Sequence, residues 1–132
     1  MAEVPPANAP LRGLRILVAE DESLISLLAE DMLVDAGVLE VVVAATLAEA
    51  RTILAEPDPI DAAVLDVKLG VDSGIELGAV LAERAIPFVF ATGLGPDGEI
   101  PKTFGDIPIL QKPYTGDDLV EAICRARRTV AA

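Results

Sequence analysis

The chain has 132 residues, 52% of them hydrophobic, and this length and composition fit one globular domain with a sizeable core. Its 22 acidic and 10 basic residues give a net charge of −12, which argues against a nucleic-acid partner because phosphate binding needs excess Lys and Arg. The single Cys124 excludes an internal disulfide, and the lack of histidine excludes a Cys/His zinc site. No apolar run reaches about 20 residues, so we expect a cytoplasmic protein with no membrane span.

Apolar runs and helical patterns alternate along most of the chain. Residues 1–12 contain three prolines and no periodicity, so we expect a disordered tail there. Short aliphatic runs then predict five strands, over residues 14–19, 40–45, 61–67, 86–92 and 107–111. A helical pattern follows each strand except the fourth. Residues 93–106 hold four Gly and two Pro, so the helix expected there is short or poorly ordered.

Three of the predicted helices have clear start signals. A Ser or Thr is followed three positions later by an acidic residue, as in a capping box: Thr46 with Glu49, Ser73 with Glu76, and Thr115 with Asp118. The first helix, after residue 22, has leucines at helical spacing and is expected to end near Gly37: Leu24, Leu27, Leu28 and Leu33.

Five strands alternating with helices predict an α/β fold. Such a pattern forms a parallel sheet with right-handed crossovers and helices on both faces. In these sheets, functional groups collect beyond the carboxyl ends of the strands. The residues at those ends are therefore the candidate site residues: Glu20, Asp21, Asp66, Thr92 and Lys112.

The acidic residues at the strand ends have a chemical requirement of their own. If the first and third strands are neighbours, Asp66 lies beside Glu20 and Asp21, and three like charges must take up protons or bind a cation. Mg²⁺ fits because it prefers hard oxygen ligands and keeps waters for a substrate phosphate. A carboxylate next to Mg²⁺ can attack phosphorus, while Lys112 and the Thr92 hydroxyl would bind phosphoryl oxygens. The pattern therefore indicates phosphoryl transfer.

Four segments carry a resemblance to a known family. ILVAEDE, AAVLDVKLGVDSG, FVFATG and ILQKPY, in this order and spacing, resemble the receiver domain of bacterial two-component response regulators. The resemblance covers residues 13–129, which leaves 130–132 as a short tail. It implies the flavodoxin-like receiver fold, with strand order 2-1-3-4-5.

The resemblance also implies a role for each acidic strand-end residue. Asp66 would be the phosphoacceptor, and Asp21 would bind Mg²⁺ directly. Glu20 would act through a metal-bound water, and Lys68 would offer its backbone carbonyl to the metal. The implied cofactor is therefore Mg²⁺.

The resemblance assigns the remaining site residues and also has departures. Thr92 would be the switch hydroxyl and Lys112 the phosphoryl-binding lysine, followed by a cis peptide to Pro113.

Gly70 stands where receivers commonly have Pro. Ile109 stands where they usually have Tyr or Phe, which argues against the usual aromatic switch.

One segment points to a particular subfamily. PFVFATG, residues 87–93, resembles the P-F-x-F-A-T-G signature of receivers in alphaproteobacterial general stress signalling, which are often phosphorylated by kinases of the HWE type. That subfamily usually has Gly or Tyr next, where this chain has Leu94. Our hypothesis is that residues 93–106 are mobile without phosphate and become ordered when Thr92 engages the phosphoryl group.

The expected function is that of a single-domain response regulator. Because only a few residues follow the last helix, we expect no output domain. Asp66 would accept a phosphoryl group from a sensor histidine kinase or histidine phosphotransferase. The protein would then switch a downstream protein partner or relay the group, as a phosphoacceptor and not as an enzyme.

Two other functions compete with this interpretation. The first is a degenerate receiver that only binds partners, which the complete set of site residues argues against. The second is a metal-dependent nucleic-acid enzyme of the Toprim kind, which needs a D-x-D pair where this chain has Asp66-Val67-Lys68. Asp72, Asp97 and Asp106 are expected to be loop residues.

Overall fold

A computed structural model of the protein describes residues 9–93 and 100–131. Within these ranges lie seven strands: β1 (Arg15–Ala19), β2 (Glu40–Ala44), β3 (Ala62–Asp66), β4 (Lys68–Leu69), β5 (Asp72–Ser73), β6 (Phe88–Thr92) and β7 (Ile109–Gln111). The same ranges hold four α-helices: α1 (Ser23–Asp35), α2 (Leu47–Ala55), α3 (Gly74–Glu83) and α4 (Gly116–Ala131).

Five of the strands form one parallel sheet in the order β2-β1-β3-β6-β7. Leaving out the small antiparallel hairpin of β4 and β5, this is the predicted order 2-1-3-4-5. β1 therefore lies beside β3, with Val18 paired to Val64, which is the condition for bringing the acidic residues together.

The helices cover both faces of the sheet, and a hydrophobic core fills each side. Alternation along β1 separates the two cores, because Ile16 and Val18 belong to one, while Leu17 and Ala19 belong to the other. The first core includes residues of α1 and α4, and the second includes residues of α2 and α3. Burial on both faces explains why these strands read as continuous aliphatic runs.

The connection between β6 and β7 has one described regular element. Residues Lys102–Phe104 form a 3₁₀ turn, and no α-helix occurs in the described part of this connection, residues 100–108. The Phe104 ring packs edge-on against Phe88 and Phe90, with ring centroids 5.9 and 5.3 Å apart. Residues 94–99 lie outside the described residues, and with them part of the segment 93–106 in our ordering hypothesis.

The predicted N-terminal tail is wrong at its C-terminal end. Leu11 is fully buried in the first core, and its amide donates to the carbonyl of Ala36 at 3.2 Å. Three prolines suggested disorder, but burying one leucine beside the end of α1 is enough to fix residues 9–12. Residues 1–8 lie outside the described residues. At the other terminus, α4 continues through residues 130–131, which were expected to be tail.

The leucine spacing that predicts α1 does not identify the buried face of this helix. Leu24, Leu27 and Leu28 are 68%, 54% and 49% exposed, while the buried residues of the helix are Ser26, Ala29 and Leu33. The apolar residues of α1 are spread over most of the helix circumference, so their spacing does not determine which side of the helix packs on the sheet. α1 therefore presents leucines to solvent.

The predicted capping boxes form to different degrees. Thr115 and Asp118 make the full reciprocal pair, with the Asp118 amide donating to Thr115 Oγ1 at 3.1 Å and the Thr115 amide to Asp118 Oδ2 at 3.4 Å. Ser73 caps α3 differently, because its hydroxyl accepts from the Ile75 amide at 3.1 Å and not from Glu76.

Gly74 connects the start of α3 directly to the phosphoacceptor candidate. A Cβ on Gly74 would lie 1.9 Å from the Asp66 carbonyl oxygen, so no other residue fits without moving backbone. The Gly74 amide also donates to the Val67 carbonyl at 2.9 Å. Close packing at this glycine thus fixes the end of β3 relative to α3.

We expect Gly74→Ala to lower the free energy of unfolding by on the order of 3 kcal/mol, because the added methyl group displaces backbone at Asp66. Denaturant unfolding measures this change. Gly116→Ala is the matched control, since Gly116 also begins a helix but its added Cβ would lie 3.6 Å from Met32, an ordinary contact. Equal stability of the two variants would contradict the role of Gly74.

Candidate functional site

The candidate residues meet at one edge of the sheet. Asp66 ends β3, Thr92 ends β6, Lys112 follows β7, and Glu20 and Asp21 follow β1. Because these strands are parallel neighbours, their carboxyl ends lie side by side. Carboxylate oxygens of Glu20, Asp21 and Asp66 all lie within 4.8 Å of one another.

Lys112 lies between the two buried acidic residues. Its ammonium nitrogen is 2.5 Å from Glu20 Oε1 and 3.1 Å from Asp66 Oδ2. Glu20 and Asp66 are only 5% and 7% exposed, so this ion pairing offsets part of the cost of burying their charge. One ammonium against three carboxylates still leaves the group negative, which favours binding of a divalent cation.

Burial and pairing change the protonation of this cluster. Burial raises the pKa of Glu20 to about 7, with the contact to Asp66 acting in the same direction and the hydrogen bond from Lys112 opposing it. For Lys112, burial lowers the pKa, but hydrogen bonds to Glu20 and Asp66 outweigh burial and leave the pKa raised. Lys112 therefore stays a cation, while Glu20 titrates near neutral pH.

A cavity of about 550 Å³ opens in front of this cluster. The predicted site residues that line it are Asp21, Asp66, Lys68, Thr92 and Lys112. Glu20 does not line the cavity, but its carboxylate contacts Lys112, which does. The cavity therefore brings an acidic metal-binding group, a hydroxyl and an ammonium to one space large enough for a phosphoryl group.

The hairpin of β4 and β5 forms one wall of the cavity. The Lys68 amide donates to Asp66 Oδ1 at 3.1 Å, which orients the carboxylate, while the Lys68 side chain is exposed. Gly70 has a φ of +61°, and a Cβ there would lie 3.9 Å from Asp21 Oδ2. Glycine in place of the family's proline thus lets the hairpin turn tightly beside the acidic residues.

Sequence reasoning missed Asp72, which was expected to be a loop residue. Asp72 lines the same cavity, and its Oδ2 accepts a hydrogen bond from the amide of Leu47 at 3.2 Å. Leu47 and Asp72 are 25 positions apart in the chain, so no local sequence pattern predicts their contact. Gly70 at the hairpin turn is the one local signal that a two-strand element is present here.

The sequence matches the family of the response regulator receiver domain over residues 16–124. The chain belongs to this family. Relatives include the transcriptional regulatory protein PdtaR of Mycobacterium tuberculosis, 33% identical over 112 residues, which are 83% of this chain and 54% of PdtaR. The chain thus spans about half the length of the curated relatives that it matches.

Solved structures show the same fold. The solution structure of SdrG from Sphingomonas melonis Fr1 is 38% identical, with a TM-score of 0.69 over 89% of this chain and 97% of SdrG. A receiver domain protein from Clostridium thermocellum is 29% identical, with a TM-score of 0.75 over 88% of this chain and 95% of that one.

Receiver domains are phosphoacceptors in two-component signalling and bind Mg²⁺ at an acidic pocket. The three acidic residues of this chain form such a pocket, and their donor set of carboxylate oxygens fits Mg²⁺. A cis peptide joins Lys112 to Pro113, as the resemblance implied. Among the described residues, no helix is long and apolar enough to cross a membrane.

The raised pKa of Glu20 predicts how stability depends on pH. Folding raises this pKa from 4.5 to about 7, so the metal-free folded state binds more protons than the unfolded state between these values. The stability from this group is fully present below pH 4.5 and is lost as pH rises through 7. We expect a loss on the order of 1–3 kcal/mol, measured by denaturant unfolding in a chelator.

Glu20→Gln is the control for this prediction, because its amide cannot titrate. The difference in stability between wild type and Glu20→Gln should therefore change across this pH range. Identical pH profiles for the two proteins would show that the Glu20 pKa is not raised. Excess Mg²⁺ should reduce the loss in wild type, because a bound cation favours the ionised carboxylate.

Proposed function

We propose that the protein is a phosphate-controlled signalling switch in which Asp66 accepts a phosphoryl group from a phosphohistidine. The observation that carries the proposal is the Lys112 ammonium, 3.1 Å from Asp66 Oδ2, at a cavity shared with Asp21 and Thr92. A nucleophilic carboxylate, acidic metal ligands and a cation for the phosphoryl oxygens are the parts that this transfer needs.

In the proposed site, the carboxylate oxygens of Asp21 and Asp66 and the backbone carbonyl of Lys68 would hold Mg²⁺. Glu20 would support the metal indirectly, consistent with its contact to Lys112. The metal supplies positive charge that offsets the charge developing on the phosphoryl oxygens.

The transfer itself uses residues at the ends of three strands. A carboxylate oxygen of Asp66 attacks phosphorus while the phosphorus–nitrogen bond breaks and its electron pair returns to the donor imidazole. Lys112 then exchanges part of its contact with Glu20 for a phosphoryl oxygen. The Thr92 hydroxyl donates to another phosphoryl oxygen. This hydrogen bond would couple phosphorylation of Asp66 to the conformation at the end of β6.

We expect Asp66→Asn to abolish covalent labelling by a small phosphodonor such as acetyl phosphate, because an amide is not a nucleophile. Asp21→Ala should weaken Mg²⁺ binding at least about tenfold, since it removes a direct ligand. Calorimetric Mg²⁺ titration and phosphoprotein gels measure these effects. Asp31→Asn, an exposed acid on α1, is the control and should behave like wild type. Full labelling of Asp66→Asn would show that another residue accepts the phosphoryl group and would overturn the proposal, whereas an unlabelled wild type would favour a binding-only module.

A groove beside the site supports a protein as the phosphodonor. It has a volume of about 350 Å³, is mostly apolar, and shares Gly93 and Lys112 with the site cavity. Its other lining residues come from α1 and the start of the β7–α4 connection: Ile25, Leu28, Ala29, Met32, Pro113 and Tyr114. A donor histidine entering the site would bring apolar neighbours onto this groove, where they would cover the exposed Leu28 of α1.

We therefore expect Leu28→Ala to slow phosphotransfer from the cognate kinase or phosphotransferase about tenfold, the effect of losing a buried interface anchor. Labelling by acetyl phosphate should not change, because the acidic site is untouched. Val34→Ala is the matched control, since Val34 is 59% exposed on the same helix but does not line the groove. Equal effects of both substitutions on both donors would contradict docking at this groove.

We also propose that the protein belongs to the P-F-x-F-A-T-G subfamily and acts in general stress signalling. In this proposal its phosphodonor is a histidine kinase of the HWE type. The support is the segment PFVFATG, which spans β6. A phosphotransfer profile against the histidine kinases of the host tests this. Fastest transfer from a kinase outside the HWE type would contradict the kinase assignment while leaving Asp66 as the phosphoacceptor.

A further inference from the structure

Two side chains tie the hairpin of β4 and β5 to other elements of the domain. In its register, Lys68 is opposite Ser73, and Leu69 is opposite Asp72. Leu69 is 1% exposed and anchors β4 in the second core. Asp72 accepts a hydrogen bond from the amide of Leu47. Asp72 therefore links β5 to α2, in addition to the close packing at Gly74 that follows β5.

This contact joins the hairpin to the N-terminus of α2. Leu47 is the first residue of α2, and an amide at that position has no acceptor within its own helix. Thr46 caps the same first turn at another amide, since its Oγ1 accepts from the Glu49 amide at 3.0 Å. A carboxylate is also favoured there by the partial positive charge of the helix end. Asp72 is thus a stable partner for α2.

The hairpin in turn lies against the acidic residues. The Lys68 amide contacts Asp66, the Gly70 backbone is close to Asp21, and Lys68 and Asp72 line the same cavity as both acids. A shift of β5 would move β4 with it, because the two strands are paired. The backbone of Lys68 would then move relative to Asp21 and Asp66.

We propose that Asp72 is a positioning residue for the Mg²⁺-dependent phosphorylation of Asp66. By holding β5 on the N-terminus of α2, it fixes the Lys68 backbone at the distance from Asp21 and Asp66 that the metal requires. This role rests on the proposed function. Asp72 acts through Lys68 and lies outside the group of three carboxylates that are close enough to share one ion.

The test measures Mg²⁺ affinity of the full chain by calorimetry and labelling by acetyl phosphate. Asp72→Ala should weaken Mg²⁺ binding about fivefold, because the loss of this hydrogen bond lets the hairpin shift away from the acidic residues. Asp72→Asn keeps an acceptor for the Leu47 amide but removes the charge, so it should restore most of the affinity. Equal weakening in both variants would overturn positioning in favour of a simple charge effect.

Thr46→Ala separates positioning from helix stability. It removes a cap from the same end of α2, with a similar expected loss of stability, but it does not touch the hairpin. We expect its Mg²⁺ affinity to equal that of wild type. Weakening equal to that of Asp72→Ala would overturn the proposal, because the effect would then come from α2 alone.

Amide NMR of the metal-free protein gives a second readout. Asp72→Ala should shift the resonances of residues 67–74 and speed their hydrogen exchange, while Thr46→Ala should leave them unchanged. Wild-type Mg²⁺ binding with unchanged Asp72→Ala affinity would overturn only the role of Asp72. A wild-type protein that binds no Mg²⁺ would overturn the proposed function itself, and the positioning role with it.

Discussion

The site depends on one interaction, the placement of the Lys112 ammonium between the buried carboxylates of Glu20 and Asp66. Two carboxylates less than a tenth exposed and within 4.8 Å of each other repel strongly, and the lysine offsets part of that repulsion. With Asp21 at the rim the cluster still has an excess of negative charge. The same charge balance that makes the folded site tolerable therefore leaves it able to attract a divalent cation.

The parallel sheet is what brings these charges together. Glu20 and Lys112 are 92 residues apart, and they meet because β1, β3, β6 and β7 end at the same edge. Two other features lie beside this edge. One is the hairpin next to Asp66, and the other is the apolar groove between α1 and the segment after β7. The candidate site residues thus lie at the ends of the sheet strands, and the hairpin and the groove lie next to them.

Some predictions failed where local pattern and tertiary packing disagree. The leucines of α1 have the spacing of a buried face, yet Leu24 and Leu27 are exposed while Ser26 is buried, because a mostly apolar helix fits the sheet in several rotations. Leu11 was assigned to a disordered tail because residues 1–12 contain three prolines and no periodicity, although its side chain is buried in the fold. Asp72 looked like any loop residue, since its partner Leu47 belongs to a different helix.

The sequence by itself determined the α/β class, the five strands of the sheet and the residues at their ends, because buried parallel strands must be aliphatic and charged residues among them stand out. With the resemblance it also determined the receiver family, the strand order and the candidate roles of Asp66, Thr92 and Lys112. Only the tertiary structure decided which face of α1 meets solvent, how Gly74 packs on Asp66, and which helix holds Asp72. These features are contacts between segments distant in the chain, and short-range periodicity carries no information about them.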